Sequence, residues 1–233
     1  MRPRIAILAS GSGTTAEAFI RACQTGVVNI DVGIVICSRK EAGIFRRVEK
    51  LNSEFGINID CILINHKTHP AAIGEHVERG SQTEAEELGI LTTLLSGSYD
   101  LVSLMGYMKR VGPHLIQAFG WLPIYKSLFQ AKMVNTHPGL LPDTKGFYGT
   151  NIQEYVLEHH LPYGGQTFHL VAQEYDDGPI IAEHKVSVEP HDTADSLFQR
   201  VQVIEKKYLP TDTEDFILAR LAYLQSEKGV IRG

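Results

Sequence analysis

The chain has 233 residues, of which 43% are hydrophobic and 21% charged, and its formal net charge is -5 at pH 7. This balance is typical of a globular protein and argues against a nucleic-acid-binding surface, which needs a clustered basic excess. The three cysteines form no C-x-x-C pair, so neither a zinc site nor a disulfide framework is predicted.

No apolar run approaches the roughly 20 residues of a membrane span, and the one after Met1 is too short for a secretory signal. We therefore predict a cytoplasmic protein with no membrane partner and with reduced, mostly buried cysteines. No linker composition or internal repeat divides the sequence. We expect a single domain over residues 1–233.

The first patterned segment is a strand, a glycine-rich turn and a helix. Residues 5–9 are continuously apolar, Ser10-Gly-Ser-Gly-Thr-Thr15 comes next, and residues 16–23 have helical periodicity. Thr14 or Thr15 can cap the helix. A helix N-terminus preceded by bare backbone amides binds anions, most commonly phosphate, although a glycine turn without a ligand remains the structural alternative.

The end of the second predicted strand, residues 30–36, narrows the type of phosphate ligand. A dinucleotide site needs an acidic residue at that strand end, but the sequence continues Cys37-Ser-Arg-Lys40. No Gly-Lys-Ser/Thr occurs, which excludes a P-loop. A phosphate carried by a small molecule fits better.

The middle of the chain continues this alternation of helices and strands. We predict helices over 41–55, 83–95 and 113–119, and strands over 57–64 and 100–106. A polar segment covers 65–80, and a connection runs over 120–132. In the second of these helices, Leu88, Leu91 and Leu95 form a stripe that we expect to face the core.

The next strand ends in a polar pair. Met133 and Val134 begin it, and Asn135 and His137 then point to one face because residues two apart in a strand share a face. A loop broken by Pro138, Gly139 and Pro142 comes after the pair. The pair is either the start of a ligand site or merely a turn cap.

The last third of the chain changes pattern. We predict a helix over 150–160, a turn at Gly164-Gly165, and two antiparallel strands over 166–172 and 179–188. The acidic turn between these strands carries Asp176 and Asp177. Two helices complete the pattern, over 192–208 and 215–224.

Parallel βα units followed by an antiparallel pair predict an α/β fold. We expect a mostly parallel twisted sheet flanked by helices, with an antiparallel hairpin in the C-terminal half. The ligand site should lie along the C-terminal strand ends.

Asn135, His137 and a carboxylate of the 173–179 turn could meet at this edge. A carboxylate fixes an imidazole tautomer, an amide can donate to an oxyanion, and His can move a proton. No G-x-S-x-G nucleophile motif occurs. Direct acyl transfer to an amine is compatible with this set, and so are deamination and simple hydrolysis.

Five segments match the patterns of one enzyme family. Ser10-Gly-Ser-Gly-Thr-Thr15 is similar to S-G-x-G-S-N, Gly106-Tyr-Met-Lys-Arg-Val111 to G-[FY]-M-R-[IL]-[LV], and Asn135-Thr-His-Pro-Gly-Leu-Leu-Pro142 to N-x-H-P-S-L-L-P. Tyr175-Asp-Asp-Gly-Pro179 is similar to L-D-x-G-P, and Arg200-Val-Gln-Val-Ile-Glu205 to R-V-[QH]-x-x-E. Over nearly its whole length the chain resembles the phosphoribosylglycinamide formyltransferases.

The resemblance implies a Rossmann-like formyltransferase fold and an activity in de novo purine synthesis. A formyl group would pass from the co-substrate 10-formyltetrahydrofolate to the amine of 5-phosphoribosylglycinamide, without a metal. Asn135 would hold the formyl oxygen and the amine. His137 would act as general acid and stabilise the oxyanion, and Asp176 would orient His137.

The resemblance also implies binding residues and partners. Phosphate would be bound by Gly13, Thr14 and Thr15; folate by Met108, Lys109, Arg110, Val111 and Asn135; and glycinamide by Gly106, Pro138 and Glu205. Residues 1–107 would form the phosphate-binding half and 108–233 the folate-binding and catalytic half. The expected partners are small molecules, for a monomer or homodimer.

Four positions differ from the family patterns. Thr14 and Thr15 replace Ser and Asn, Lys109 replaces Arg, and Gly139 replaces Ser. Alternatives are a related formyltransferase or a 10-formyltetrahydrofolate hydrolase acting on another substrate. Methionyl-tRNA formyltransferase and the hydrolase usually carry an additional domain for which we expect no room here. A nucleotide-binding oxidoreductase is disfavoured by the missing acidic residue.

Overall fold

The computed structural model describes residues 2–230 and contains one seven-stranded sheet. Its strands are β1 Arg4–Ala9, β2 Asp31–Cys37, β3 Asp60–Leu63, β4 Leu101–Leu104, β5 Met133–His137, β6 Tyr163–Leu170 and β7 Ile180–Ser187. Their order is β3-β2-β1-β4-β5-β6-β7. Pairs among the first five are parallel, whereas β5–β6 and β6–β7 are antiparallel. The predicted fold class is thus confirmed.

Helices cover both faces of the sheet. They are α1 Thr14–Gln24, α2 Ile44–Phe55, α3 Glu84–Ser96, α4 Pro113–Phe119, α5 Asn151–Glu158 and α6 Ala194–Val230, with a short 3₁₀ helix at Leu128–Gln130. None of the helices within residues 2–230 is both long enough and apolar enough to cross a membrane.

The continuously apolar sequence of β1 is explained by two cores. Ile5 and Ile7 belong to a cluster shared with α1, α2 and α6, whereas Ala6 and Leu8 belong to one shared with α3 and α4. Alternate residues of a strand face opposite sides, so a strand covered on both sides is apolar throughout. We call these sides the α1/α6 face and the α3/α4 face.

The strand order reverses at the boundary between β1 and β4. The loops that leave these two strands meet there, because the Ser10 amide donates to the Gly106 carbonyl over 3.0 Å. The Met108 amide donates to Ser10 Oγ over 2.9 Å. Ligands of open α/β sheets bind at such a reversal, outside the carboxyl ends of the strands.

The leucine stripe predicted to face the core from α3 is wrong at two of its three positions. Leu91 packs against the core, but Leu88 is 42% exposed and Leu95 62% exposed, whereas Glu86 and Glu87 are buried. The reason is that both carboxylates have partners. Glu86 closes a capping box with Thr83, and Glu87 accepts a hydrogen bond from the Leu115 amide. Ile90 and Leu94 supply the apolar contacts instead.

The predicted turn at Gly164-Gly165 is also wrong, because both glycines lie inside β6. A Cβ at Gly165 would lie 2.5 Å from the His184 carbonyl oxygen of β7 and 2.6 Å from Leu140 Cδ2. These glycines therefore allow close packing and do not turn the chain.

The two predicted C-terminal helices are one helix, α6, with Pro210 inside it. Proline removes one backbone donor and disfavours the helix locally. Leu209 and Phe216, on either side of that position, are nevertheless buried in the same apolar cluster. Their shared burial holds the helix continuous through the proline.

The orientation of α3 can be tested at two adjacent leucines, because Leu94 is buried in the core and Leu95 is exposed to solvent. Leu94→Ala should lower the free energy of unfolding by about 2–5 kcal/mol because it opens a cavity in the core. Leu95→Ala should change it by less than about 0.5 kcal/mol, as is usual for surface substitutions. Urea unfolding of both variants measures the difference, and equal losses would restore the predicted stripe.

Candidate active site

The polar pair of β5 faces a histidine that the sequence interpretation missed. Asn135 lies opposite His169 in the β5–β6 register, and Asn135 Nδ2 is 3.1 Å from His169 Nε2. His169 Nδ1 lies 2.9 Å from the Leu170 carbonyl oxygen and must donate to it. Nε2 of neutral His169 is therefore the acceptor, so the Asn135 amide points its NH₂ group there and keeps a second N–H free.

Asp176 lies between His137 and the Asn135–His169 contact. One carboxylate oxygen is 3.6 Å from His137 Nδ1, and the other is 3.6 Å from His169 Nε2. The Gly146 amide donates to Asp176 over 3.2 Å. The Asp176 side chain is 5% exposed and its φ is 50°, a left-handed conformation that is uncommon outside glycine. The loop thus holds a strained backbone while the carboxylate lies between two imidazoles.

Burial sets the protonation of this cluster. It lowers the pKa of His137 below its usual value, and the Asp176 carboxylate only partly opposes that effect. Burial likewise lowers the pKa of His169, opposed by its bond to the Leu170 carbonyl and by Asp176. Both imidazoles are therefore neutral near pH 7, which suits a group that must take up and return a proton.

A cleft of about 430 Å³, open to solvent, lies beside the cluster. It is lined by Asn135, His169 and Asp176 on one side and by Lys109, Arg110 and Val111 on another. Apolar side chains such as Leu104, Val111 and Val171 complete the lining, and a mostly apolar wall with a few convergent polar groups is usual for a small-molecule site.

The segment after β4 is held rigidly at the cleft. Gln82 donates to the Tyr107 hydroxyl over 2.8 Å and accepts from the Gly112 amide over 2.9 Å. Lys109 forms an ion pair with the buried Glu86. Met108 differs from its predicted neighbours, because its side chain is 48% exposed and does not line the cleft.

The glycine-rich loop ends at the N-terminus of α1. Gly13 is the N-cap with a φ of 76°, and a Cβ there would lie 2.5 Å from Ile44 Cδ1, so both conformation and space require glycine. Thr14 and Thr15 lie inside the helix and no side chain caps it, so the prediction that either is the cap is wrong. The first-turn amides lack acceptors within the helix and remain suited to an anion.

Glu205 lies on the opposite side of β5 from the Asn135–His137 pair. Its carboxylate accepts from Thr15 and from Thr136, each over 2.9 Å. Thr136 alternates with Asn135 and His137, so Glu205 is on the α1/α6 face. Burial raises the pKa of Glu205, opposed by the two hydroxyl groups. The structure therefore connects Glu205 to the glycine-rich loop and not directly to the Asn135–His137–Asp176 cluster.

The remaining predicted site residues surround the strand ends. Gly106 is exposed with a φ of 72°, and the Pro138 carbonyl accepts from Gln153 over 2.7 Å. Across residues 2–230, no three His, Cys, Asp or Glu side chains are grouped so that they could hold a metal ion.

Gly139 lies just beyond the same strand end and has a steric reason to be glycine. A Cβ there would overlap the Thr144 hydroxyl oxygen and lie 2.8 Å from Ile152 Cγ2. The space that a serine side chain would fill is thus taken by Thr144.

Gly139→Ala should lower the free energy of unfolding by about 1–3 kcal/mol, the usual cost of overpacking a core. Gly11→Ala is the control, because a Cβ at Gly11 meets nothing within 4 Å. Denaturant unfolding of the two variants compares them. Equal stability would contradict the proposed overlap.

The buried imidazoles also predict a pH dependence of stability. In the unfolded chain histidine titrates near 6.5, whereas burial lowers the pKa of His169 in the fold. The unfolded state then binds more protons below pH 6.5, so stability should fall as the pH is lowered from 7.5 to 5.5. His169→Gln should flatten that slope in urea titrations at several pH values, and parallel curves for the two proteins would contradict the prediction.

Comparison with known proteins identifies the family to which this chain is similar. The formyl transferase family model matches residues 3–213. A phosphoribosylglycinamide formyltransferase of Bacillus subtilis is 26% identical over 208 residues, which cover 89% of this chain and 91% of the relative. A chloroplastic enzyme of the same name from Arabidopsis thaliana is 30% identical, and the match covers 88% of this chain but 62%, less than two thirds, of that longer protein.

A solved structure agrees with these matches. The crystal structure of phosphoribosylglycinamide formyltransferase from Bacillus halodurans superposes with a TM-score of 0.73 at 31% identity, covering 92% of this chain and 95% of that one. The family resemblance seen in the sequence motifs is confirmed, and the chain belongs to the formyl transferase family.

Proposed function

We propose that this formyltransferase transfers the formyl group of 10-formyltetrahydrofolate to the amine of 5-phosphoribosylglycinamide in de novo purine synthesis. The observation that carries the proposal is the cluster of Asn135, His137 and Asp176 beside a cleft bordered by the segment after β4. The names of the relatives support formyl transfer to phosphoribosylglycinamide.

The reaction would proceed by direct attack of the amine on the formyl carbon. The carbonyl oxygen becomes an oxyanion, which the free N–H of Asn135 and the His137 imidazole stabilise. The amine loses one proton and N10 of the folate gains one when its bond to the formyl carbon breaks. His137, oriented by Asp176, carries this proton as general base and then general acid.

The binding groups would divide between the two halves of the chain. In residues 1–107, the backbone amides of Gly13, Thr14 and Thr15 bind phosphate at the start of α1. The Thr15 hydroxyl is committed to Glu205, so phosphate recognition there depends on the backbone.

In residues 108–233, the backbone of Met108, Lys109, Arg110 and Val111 together with Asn135 binds the folate. Gly106, Pro138 and Glu205 bind the glycinamide portion. Because Glu205 and Asn135 lie on opposite faces of β5, the acceptor would cross the C-terminal edge of that strand, from the phosphate site to the catalytic cluster.

The net charge of -5 supports small-molecule partners and not nucleic acid. We infer a cytoplasmic enzyme that acts as a monomer or homodimer.

Formyl transfer is tested by mixing the protein with 10-formyltetrahydrofolate, with and without 5-phosphoribosylglycinamide. We expect loss of the formyl group from the folate only in the presence of the acceptor, with matching formation of N-formylated 5-phosphoribosylglycinamide. Release of formate without the acceptor would contradict the proposal and indicate a 10-formyltetrahydrofolate hydrolase. Transfer to a different amine would change the substrate.

Substitutions at the cluster test the assigned roles. His137→Ala and Asp176→Asn should each lower kcat by about 10²–10⁴-fold, the usual contribution of general acid–base groups. Asp177→Asn is the matched control, because the neighbouring carboxylate is 56% exposed and its ion pair is with Lys145 at the surface, so kcat should stay within about twofold of native. Steady-state kinetics on folded protein measure all three, and near-normal kcat for either cluster variant would remove that residue from the mechanism.

A further inference from the structure

The second nitrogen of the His137 ring has a partner outside the cluster. The Thr144 hydroxyl oxygen is 3.0 Å from His137 Nε2 and 2.9 Å from the Leu140 carbonyl oxygen. Thr144 is 1% exposed, so these contacts are shielded from bulk solvent. None of the five family motifs extends to this residue.

The hydroxyl has only one hydrogen, and this fact determines the tautomer of His137. The Thr144 hydroxyl donates that hydrogen to the Leu140 carbonyl, the shorter of its two contacts, and its oxygen is then left to accept from His137. The Leu140 carbonyl also accepts from the Thr144 amide over 3.2 Å. Neutral His137 therefore carries its proton on Nε2. Its Nδ1 is left unprotonated, 3.6 Å from the Asp176 carboxylate that lines the cleft.

We propose that Thr144 is a positioning residue that anchors Nε2–H of His137 and so makes Nδ1 the nitrogen that exchanges the reaction's proton. The inference rests on the proposed catalytic role of His137. The proton leaves the attacking amine for Nδ1, giving an imidazolium with Nδ1–H toward Asp176 and Nε2–H on Thr144. The same proton passes to N10 of the folate as the carbon–nitrogen bond breaks, and His137 returns to its starting form.

The surrounding loop holds Thr144 in register with the ring. The Gly146 amide donates to Asp176, which fastens the loop to the acidic turn. Gly139 leaves the space that the hydroxyl occupies. The titratable groups facing His137 are Asp176, from the acidic turn, and His169, from β6.

Histidine side-chain ¹⁵N spectra test the tautomer without any reference to catalysis. At neutral pH the His137 signal, assigned by its loss in His137→Gln, should show Nε2–H in the native protein and in Thr144→Ser. In Thr144→Val it should shift toward Nδ1–H, which can donate to Asp176. An Nδ1–H form in the native protein, or no change in Thr144→Val, would overturn the proposal.

Kinetics test the consequence. Thr144→Val should lower kcat about 10-fold, the effect of one lost hydrogen bond, with both KM values within about twofold. In the pH dependence of kcat, the limb that reports the ionisation of His137 should move to lower pH, because the His137 imidazolium loses the Thr144 hydroxyl as an acceptor. Thr144→Ser should stay within about threefold of the native kcat.

Thr213→Val is the control for loss of a buried hydroxyl. Thr213 is fully buried and donates to the Leu209 carbonyl four residues earlier, as Thr144 does to Leu140, but among residues 2–230 its hydroxyl makes no hydrogen bond to a histidine. Its kcat should remain within about twofold of native. Equal losses in Thr144→Val and Thr144→Ser, or an unshifted pH profile, would overturn the positioning role. Absence of any transfer to glycinamide would instead refute the proposed substrate and leave the spectra to decide the tautomer.

Discussion

The candidate site depends on the placement of one carboxylate. Asp176 is the group through which the strand end at His137, the neighbouring strand at His169 and the loop at Gly146 are brought to one point. Each of these segments enters from a different part of the chain, and a carboxylate with four lone-pair sites can serve them together. The left-handed backbone at Asp176 costs free energy that the buried contacts must offset. A flexible turn would not keep both imidazoles at the same distance from the carboxylate.

A second polar connection runs on the other side of β5. Gln166 donates to Thr136, Thr136 and Thr15 donate to Glu205, and the glycine-rich loop is thereby tied to α6 and to the centre of the sheet. One strand thus presents the Asn135–His137 pair on one face and supports the start of α1 through the other. Alternation of side chains along a strand is enough to produce this division.

The sequence was sufficient for the fold class, the helix and strand order through β7, and the Asn135–His137–Asp176 grouping, because these follow from apolar periodicity, breaker residues and family motifs. It was insufficient where a tertiary contact outweighs local pattern. Glu86 and Glu87 are buried because distant donors meet them, and Pro210 stays helical because apolar residues on both sides share a core. His169 was missed because only strand register brings it opposite Asn135, and register cannot be read from a single strand.

The contact between Gly139 and Thr144 couples two positions of this part of the chain. A Cβ at position 139 would overlap both the hydroxyl oxygen and the Cβ of Thr144. Serine, the residue of the family motif, would therefore displace the hydroxyl group that contacts His137. The effect of a substitution at position 139 should thus depend on which residue occupies position 144.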